Sequence, residues 1–311
     1  MKPDISVVIP TYNRKDTLRK CLDCHDRQTF PEGRFEVIVV DDGSTDDTWE
    51  FLRRAQGSRR YPIHCFRKGN AGPGSARNLG ISKARGEVLL FLGDDIYPDP
   101  NLLQQHWTWH TEKYPGDHVG VLGFVTWAAD PPPSQLMIWL ERGHQNAYHL
   151  LPHGGLADWR HSYTGNVSLK KRFLEETGER FDERLPPYGF EDIDWGYRLM
   201  KNGFELRYNR HAVGYHHHWV TVADSFLRME KVGRSAGSLR EVNPELHELV
   251  MQETVPKRSW ERVLLPVLLH PFIARPVILP LARYMEHRMI NSRLFALAHL
   301  YFFRRGLRTG T

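Results

Sequence analysis

Two short apolar runs open the chain's pattern: Ile5-Ser6-Val7-Val8-Ile9 and Phe35-Glu36-Val37-Ile38-Val39-Val40. Neither alternates polar with apolar, which predicts strands buried on both faces of a sheet. Between them Leu18, Cys21, Leu22 and His25 recur at i, i+3, i+4 and i+7 and mark one face of a helix. Ser44-Thr45-Asp46-Asp47 reads as a cap and first turn ahead of Trp49, Phe51 and Leu52. Strand, helix and strand in that order form a βαβ unit with a crossover long enough for parallel pairing. Further strands are expected over Ile63 to Phe66, Val88 to Leu92 and Val119 to Thr126, then over Phe204 to Tyr208 and Ala212 to Tyr215. The segment Ala128 to Gly165, with Pro131-Pro132-Pro133 and Gly154-Gly155, is expected to be partly mobile and to lie over a substrate site. The fold class is α/β, with a Rossmann-like, mostly parallel sheet flanked by helices.

Acidic residues appear where the apolar runs stop. The second strand breaks into Asp41-Asp42-Gly43-Ser44, and Val88-Leu89-Leu90-Phe91-Leu92 breaks into Gly93-Asp94-Asp95. Glu191-Asp192 and His216-His217-His218 follow later in the chain. In an open parallel sheet the first two sites lie on the carboxyl edge, where ligands bind.

Composition adds a basic tail to this picture. The 311 residues, 41% apolar and 25% charged, are ordinary for a globular enzyme. The net charge is +5, but ten Lys or Arg stand against two Glu from Pro256 to Thr311, so the tail carries +8 and the rest −3 by difference. Nucleic-acid binding would interleave that charge with base-stacking aromatics along a groove. Here it alternates instead with aliphatic runs, Val263 to Leu269 and Leu294 to Arg305, a pattern of interfacial helices on an anionic membrane surface. Prolines interrupt the first run, and neither is a bilayer span. Three cysteines give no disulfide framework, and Met1-Lys2-Pro3-Asp4 leads straight into a strand without a signal peptide. The expected location is cytoplasmic, peripheral on the cytoplasmic face of the membrane. Cys21-Leu22-Asp23-Cys24-His25 matches a haem-attachment spacing, but its position on an apolar helix face reads as buried packing.

Five strings in order carry a resemblance: Val7-Val8-Ile9-Pro10-Thr11-Tyr12-Asn13-Arg14, Val39-Val40-Asp41-Asp42-Gly43-Ser44-Thr45-Asp46, Asn70-Ala71-Gly72-Pro73-Gly74-Ser75-Ala76-Arg77-Asn78, Phe91-Leu92-Gly93-Asp94-Asp95, and Gly189-Phe190-Glu191-Asp192-Ile193-Asp194-Trp195 leading to His216. Over about residues 4 to 220 the chain resembles the inverting family 2 glycosyltransferases of GT-A fold. The resemblance implies a nucleotide-sugar donor, an acceptor that is a saccharide or glycolipid, and Mn²⁺ or Mg²⁺ as cofactor. It divides the chain into a nucleotide-sugar-binding half over 1–126, an acceptor-binding and catalytic half over 127–220, and a basic helical C-terminal region over 221–311.

By the same resemblance Asp95 ligates the metal, Asp94 contacts the ribose, and His216, with His218 as second choice, completes the metal site. Gly93 stands where many members of the family carry the first Asp of an Asp-x-Asp signature. Pro10, Thr11 and Tyr12 are expected to wall the base, with Arg14 beside them in the donor site. Asp42 is a candidate acceptor for a uracil or thymine imide N–H, favouring UDP- or dTDP-sugars. Arg77, in a glycine-rich turn, suits bidentate contact with phosphate. Asp192 is the expected general base, because inversion at an anomeric carbon needs a group that takes the acceptor proton on the face opposite the leaving group. Glu191 would orient a substrate, Trp195 or Trp219 would stack on a sugar, and Asn166 would line the pocket. The alternatives are a polyprenyl-phosphate sugar synthase, whose anionic acceptor needs no base, a nucleotidyltransferase, and a non-catalytic carbohydrate-binding protein.

Overall fold

The computed structural model describes residues 2–144, 147–186, 189–254, 267, 269–284 and 292–309. Its contacts divide into two compact units. The first comprises Met1–Ala128, Asn146–Glu183 and Glu191–His218, and the second Ala129–Gln145, Arg184–Phe190 and Trp219–Thr311.

The first unit is built on one sheet. Strands β1 (Ile5–Thr11), β2 (Phe35–Asp41), β3 (Ile63–Arg67) and β4 (Val88–Leu92) pair in parallel in the order β3-β2-β1-β4. Every residue of β2 and β4 is buried, including Glu36, whose carboxylate accepts from Ser6 Oγ and Arg85 Nη2. Helices α1 (Lys15–His25), α2 (Thr48–Ala55) and α3 (Pro73–Lys83) form the crossovers. α3 lies so close to β1 that a Cβ on Gly80 would come within 2.4 Å of Val8 Cγ1. The helix of Cys21 and Cys24 is α1, and both thiols are buried and free, in keeping with packing rather than haem or redox chemistry.

The sheet continues with β5 (Ile96–Pro98), β6 (Val119–Trp127), β7 (Leu156–Ala157), β8 (Asn166–Lys170) and β9 (Glu205–His216). The full order is β3-β2-β1-β4-β8-β6-β9-β5, with β7 on β9. β6 and β9 run with the first four strands, while β5, β7 and β8 run against them. The two late strand expectations merge into the single β9, whose register against β6 slips between Gly123 and Phe124. Such a bulge bends a strand and re-aims the side chains beyond it.

Two elements depart from the sequence pattern. α2 begins at Thr48 rather than Ser44, and Asp46 Oδ1 accepts from the Thr48 N–H at 3.0 Å. β8 is fully buried although it alternates polar and apolar residues. Its polar side chains are satisfied from α4 (Leu102–Thr108) and the turn after it: Ser168 Oγ lies 2.7 Å from His106 Nδ1 and 2.8 Å from His110 Nε2. Within 128–165, Tyr148 and Ala157 are buried, and Tyr148 stacks on Tyr208 at 5.4 Å, so part of that segment is core.

The second unit is helical. It holds α5 (Gln135–Trp139), α8 (Val222–Val242), α9 (Pro244–Thr254) and a last helix, Ser292–Thr309, while α6 (Lys171–Thr177) and α7 (Glu191–Lys201) belong to the first. Thr221 and Asp224 form a reciprocal capping box that fixes the start of α8. α8 and the last helix cross at glycines: a Cβ on Gly233 would sit 2.1 Å from the Phe303 carbonyl oxygen, and one on Gly306 2.1 Å from that of Glu230. Phe295, Ala298, Tyr301, Phe302 and Phe303 are buried in this unit, with Phe302 stacked on Phe226 at 4.8 Å. The run Leu294 to Arg305 therefore spends its apolar face on intramolecular packing, which corrects the expectation that it lies in a membrane interface. Most of the other run, Val263 to Leu269, lies outside the described residues.

Candidate functional site

The loops at the carboxyl ends of β1 and β2 are tied to each other. Asn13, held at φ 53°, accepts through Oδ1 from the backbone N–H of Thr45 at 2.8 Å and of Asp46 at 3.3 Å. Ser44 Oγ accepts from the Asn13 N–H at 2.9 Å. Asparagine tolerates this left-handed backbone better than most residues. Asp42, 4% exposed, accepts from Lys68 Nζ at 3.0 Å, from Ala71 N–H at 3.1 Å and from Gly72 N–H at 2.7 Å. Both its oxygens thus pin the turn that launches α3.

Beyond β4 the chain turns through Gly93, Asp94 and Asp95 into β5. Cys21 lies beneath this turn, with Sγ 3.3 Å from the Ile96 carbonyl oxygen. Thr11 Oγ1 donates to Asp94 Oδ2 at 2.8 Å, so Thr11, 3% exposed, braces a carboxylate instead of walling a base. Tyr12 is 44% exposed and Pro10 half-buried. Arg14 Nη1 donates to Asp94 Oδ1 at 2.9 Å and to Asp95 Oδ2 at 2.7 Å, and Nη2 lies 3.2 Å from His218 Nδ1. His216 Nε2 approaches the same Asp95 Oδ2 at 3.4 Å.

Pairing of β5 with β9 sets Ile96 opposite His216 and carries that histidine to the turn. Its ring stacks on Trp127 at 4.7 Å and on His218 at 5.8 Å, and the His217 N–H donates to the Asp95 carbonyl oxygen at 2.8 Å. Burial and the neighbouring Asp95 raise the pKa of Asp94. Burial works against the charge of Asp95 too, but His216 and Arg14 outweigh it and hold that carboxyl below the usual range. The donor chemistry fits a divalent cation that accepts oxygen and imidazole, Mn²⁺ before Mg²⁺. Among the described residues no three such ligands close on a common point in this arrangement, and it is the guanidinium of Arg14 that contacts Asp94, Asp95 and His218 together.

A second group of charges lies where α3 meets α7. Arg77 is 8% exposed, its Nε and Nη1 make no hydrogen bond, and Nη1 is 3.6 Å from Glu191 Oε1. A buried guanidinium with unmet donors is costly unless an anion completes it. Asp192, next in the chain and half-buried, accepts from the Ile193 N–H at 2.9 Å. Burial first, and Glu191 second, push its pKa up to about 7.

Two expected site residues belong to the core. Trp195, 1% exposed, stacks on Phe181 at 4.4 Å and meets Phe91 edge-on at 5.3 Å, so its ring faces no sugar. Asn166, also 1% exposed, accepts from His106 Nε2 at 2.9 Å and donates to the carbonyl oxygens of Ala212 at 2.9 Å and Phe124 at 3.3 Å. It clamps the bulge between β6 and β9 and is not a pocket residue. Trp219, in the second unit, is 45% exposed. Sequence reasoning missed Asn13, Cys21 and Trp127, whose partners are far off in sequence; only the Asn before Arg14 offered a local turn signal.

Comparison with known proteins agrees with this architecture. Residues 6–161 match the profile of glycosyl transferase family 2. An uncharacterised glycosyltransferase of Bacillus subtilis (strain 168), YfnE, is 27% identical over 261 residues, 68% of this chain and 64% of its own. Validoxylamine A glucosyltransferase of Streptomyces hygroscopicus subsp. limoneus is 30% identical over 232 residues, covering 68% of this chain and 51% of its own. The matches thus span under two thirds of these relatives' lengths. Among solved structures, the Pyrobaculum calidifontis mannosyltransferase PcManGT in complex with GDP-Man and Mn²⁺ superposes with a TM-score of 0.66 at 16% identity, covering 100% of this chain and 87% of that one. The GT-A type of fold expected from sequence is the fold found. With the profile matched over half its length, this chain belongs to glycosyl transferase family 2.

Proposed function

We propose that the chain is a metal-dependent inverting glycosyltransferase that moves a sugar from a nucleoside-diphosphate donor to an acceptor hydroxyl. The observation that carries this reading is Asp192, a carboxyl pushed up to about 7 beside Glu191, with Arg77 Nε and Nη1 making no hydrogen bond and Nη1 3.6 Å from Glu191. A base with its pKa near neutrality is matched to taking a proton from a hydroxyl. Asp192 removes the acceptor proton while the acceptor oxygen bonds the anomeric carbon and the bond from that carbon to the diphosphate breaks. Arg77 meets a phosphate oxygen of the donor, which satisfies a desolvated guanidinium. Glu191, beside it, raises the proton affinity of the Asp192 carboxylate and orients the reacting sugar. Asp95 and His216, with His218 as a further donor, would hold Mn²⁺ or Mg²⁺, and Asp94 would face the ribose. When bound, that ion neutralises charge on the leaving diphosphate.

The donor test spans uridine, thymidine and guanosine diphosphate sugars. Each is incubated with the protein and Mn²⁺, Mg²⁺ or chelator, and melting and donor hydrolysis are followed. One nucleotide-sugar is expected to raise the melting point and to be hydrolysed, in the presence of metal alone. No response to any donor would overturn the reading.

The acceptor is a saccharide presented at an anionic membrane surface on the cytoplasmic side. Supporting this, Phe272 is 86% exposed, and Val277, Leu281 and Tyr284 are also exposed, in a tail that carries +8. Among the described residues no helix is long and apolar enough to cross a membrane. Paired substitution Phe272→Glu and Leu281→Glu is expected to weaken sedimentation with vesicles containing phosphatidylserine by tenfold or more, on the order of 0.8 kcal/mol per CH₂ withdrawn. Unchanged sedimentation would remove the membrane from the account.

A further inference from the structure

We propose that Arg14 is an internal cation that holds the metal site shut until metal and diphosphate arrive together. The inference rests on the metal reading above and concerns what occupies the ligands beforehand. A guanidinium only donates hydrogen bonds. Each atom it meets must therefore present a lone pair: Asp94 Oδ1 at 2.9 Å, Asp95 Oδ2 at 2.7 Å and His218 Nδ1 at 3.2 Å. Those on Asp95 and His218 are lone pairs a divalent cation would use, and Asp95 Oδ2 is also the atom that His216 Nε2 approaches at 3.4 Å. Arg14 thus occupies shared ligand atoms, and ion and guanidinium exclude each other there.

The electrostatics set the order of events. Asp94 is 6% exposed and the Arg14 side chain 33%, so the pair is largely desolvated. A bare Mn²⁺ that displaces Arg14 leaves a guanidinium stripped of both carboxylates, a costly state where water is scarce. A metal–diphosphate complex supplies the replacement anion along with the ion. The displaced Arg14 then pairs with phosphate, which turns a lock on the empty site into a donor contact in the filled one. Arg14 sits only three residues beyond β1, on the loop fixed by Asn13, so a rotamer change at its own side chain suffices for the exchange.

Direct Mn²⁺ binding, counted as loss of the free-ion signal in electron paramagnetic resonance, tests this without turnover. Nucleotide-free wild-type protein is expected to bind Mn²⁺ about tenfold or more weakly than Arg14→Gln, the scale of one charge-assisted hydrogen bond. Arg14→Lys, which keeps the charge but loses the fork, should fall between them. Adding Asp95→Asn to Arg14→Gln should abolish the binding and so locate the ion. Equal Mn²⁺ affinity in wild type and Arg14→Gln would overturn the lock and leave the metal site standing. Absence of Mn²⁺ binding in every variant, with or without a nucleoside diphosphate, would overturn the metal reading and the lock with it.

Discussion

Asp192→Asn is expected to lower kcat by about 10²- to 10⁴-fold, the usual worth of a positioned base. The substitution is close to isosteric and removes no core contact, so the melting point should stay near wild type. The sign of the pH dependence follows from the same carboxyl. Transfer needs Asp192 ionised, and burial with Glu191 nearby pushes its pKa up to about 7. The rate of the wild-type enzyme should therefore rise with pH through neutrality and level off above it. In Asp192→Asn that rise should vanish along with the activity. A variant with wild-type turnover, or a rate that falls as pH climbs through 7, would remove Asp192 from the role of base.

Asp95→Asn is the second large effect. Asp95 is the carboxylate shared by Arg14 and His216, at 2.7 and 3.4 Å. Its loss removes the charged oxygen that His216 and Arg14 share at this turn. Changing a group that merely supports a metal ligand costs about 10- to 100-fold in affinity. Removing the ligand charge should cost more than about 100-fold, read as Mn²⁺ concentration required for half-maximal donor hydrolysis. Excess Mn²⁺ should restore part of the rate in Asp95→Asn and none in Asp192→Asn, which separates the two roles. If Asp95→Asn needed no more Mn²⁺ than wild type, the ion would sit elsewhere or be dispensable.

How far the sequence could be read follows from where each signal resides. β1, β2 and β4 were legible because strands covered on both faces by helices must be apolar at nearly every position. The acidic pairs at their ends were legible as breaks: Asp41-Asp42 and Asp94-Asp95 end runs in which Glu36 is the single charged residue. β8 was not, because Asn166 and Ser168 are buried polar residues satisfied by His106 and His110, some sixty positions earlier. Nothing local announces such partners.

The same limit explains the reassigned residues. Trp195 and Asp192 are neighbours on α7, yet one faces Phe91 and Phe181 in the core while the other remains half-buried at the helix start. At a spacing of i, i+3 both lie on one side of the helix, so periodicity alone does not separate them, and how much of that side is core depends on the sheet beneath. Arg14 looked like one more donor-binding residue; its ion pairs with Asp94 and Asp95 span eighty residues of chain. Trp127 and the bulge at Gly123 and Phe124, which together set the ring of His216, left no mark in the pattern. In the last helix the amphipathic stretch was read correctly as a stripe, but its partner proved to be α8.

The most direct test of the account is the anomeric configuration of the first product, read by ¹H NMR before mutarotation, from the donor that the panel selects. Attack by an acceptor oxygen activated by Asp192 displaces the diphosphate in one step, so the transferred sugar should carry the configuration opposite to that in the donor. Retention of the donor configuration would contradict the single displacement and the role assigned to Asp192.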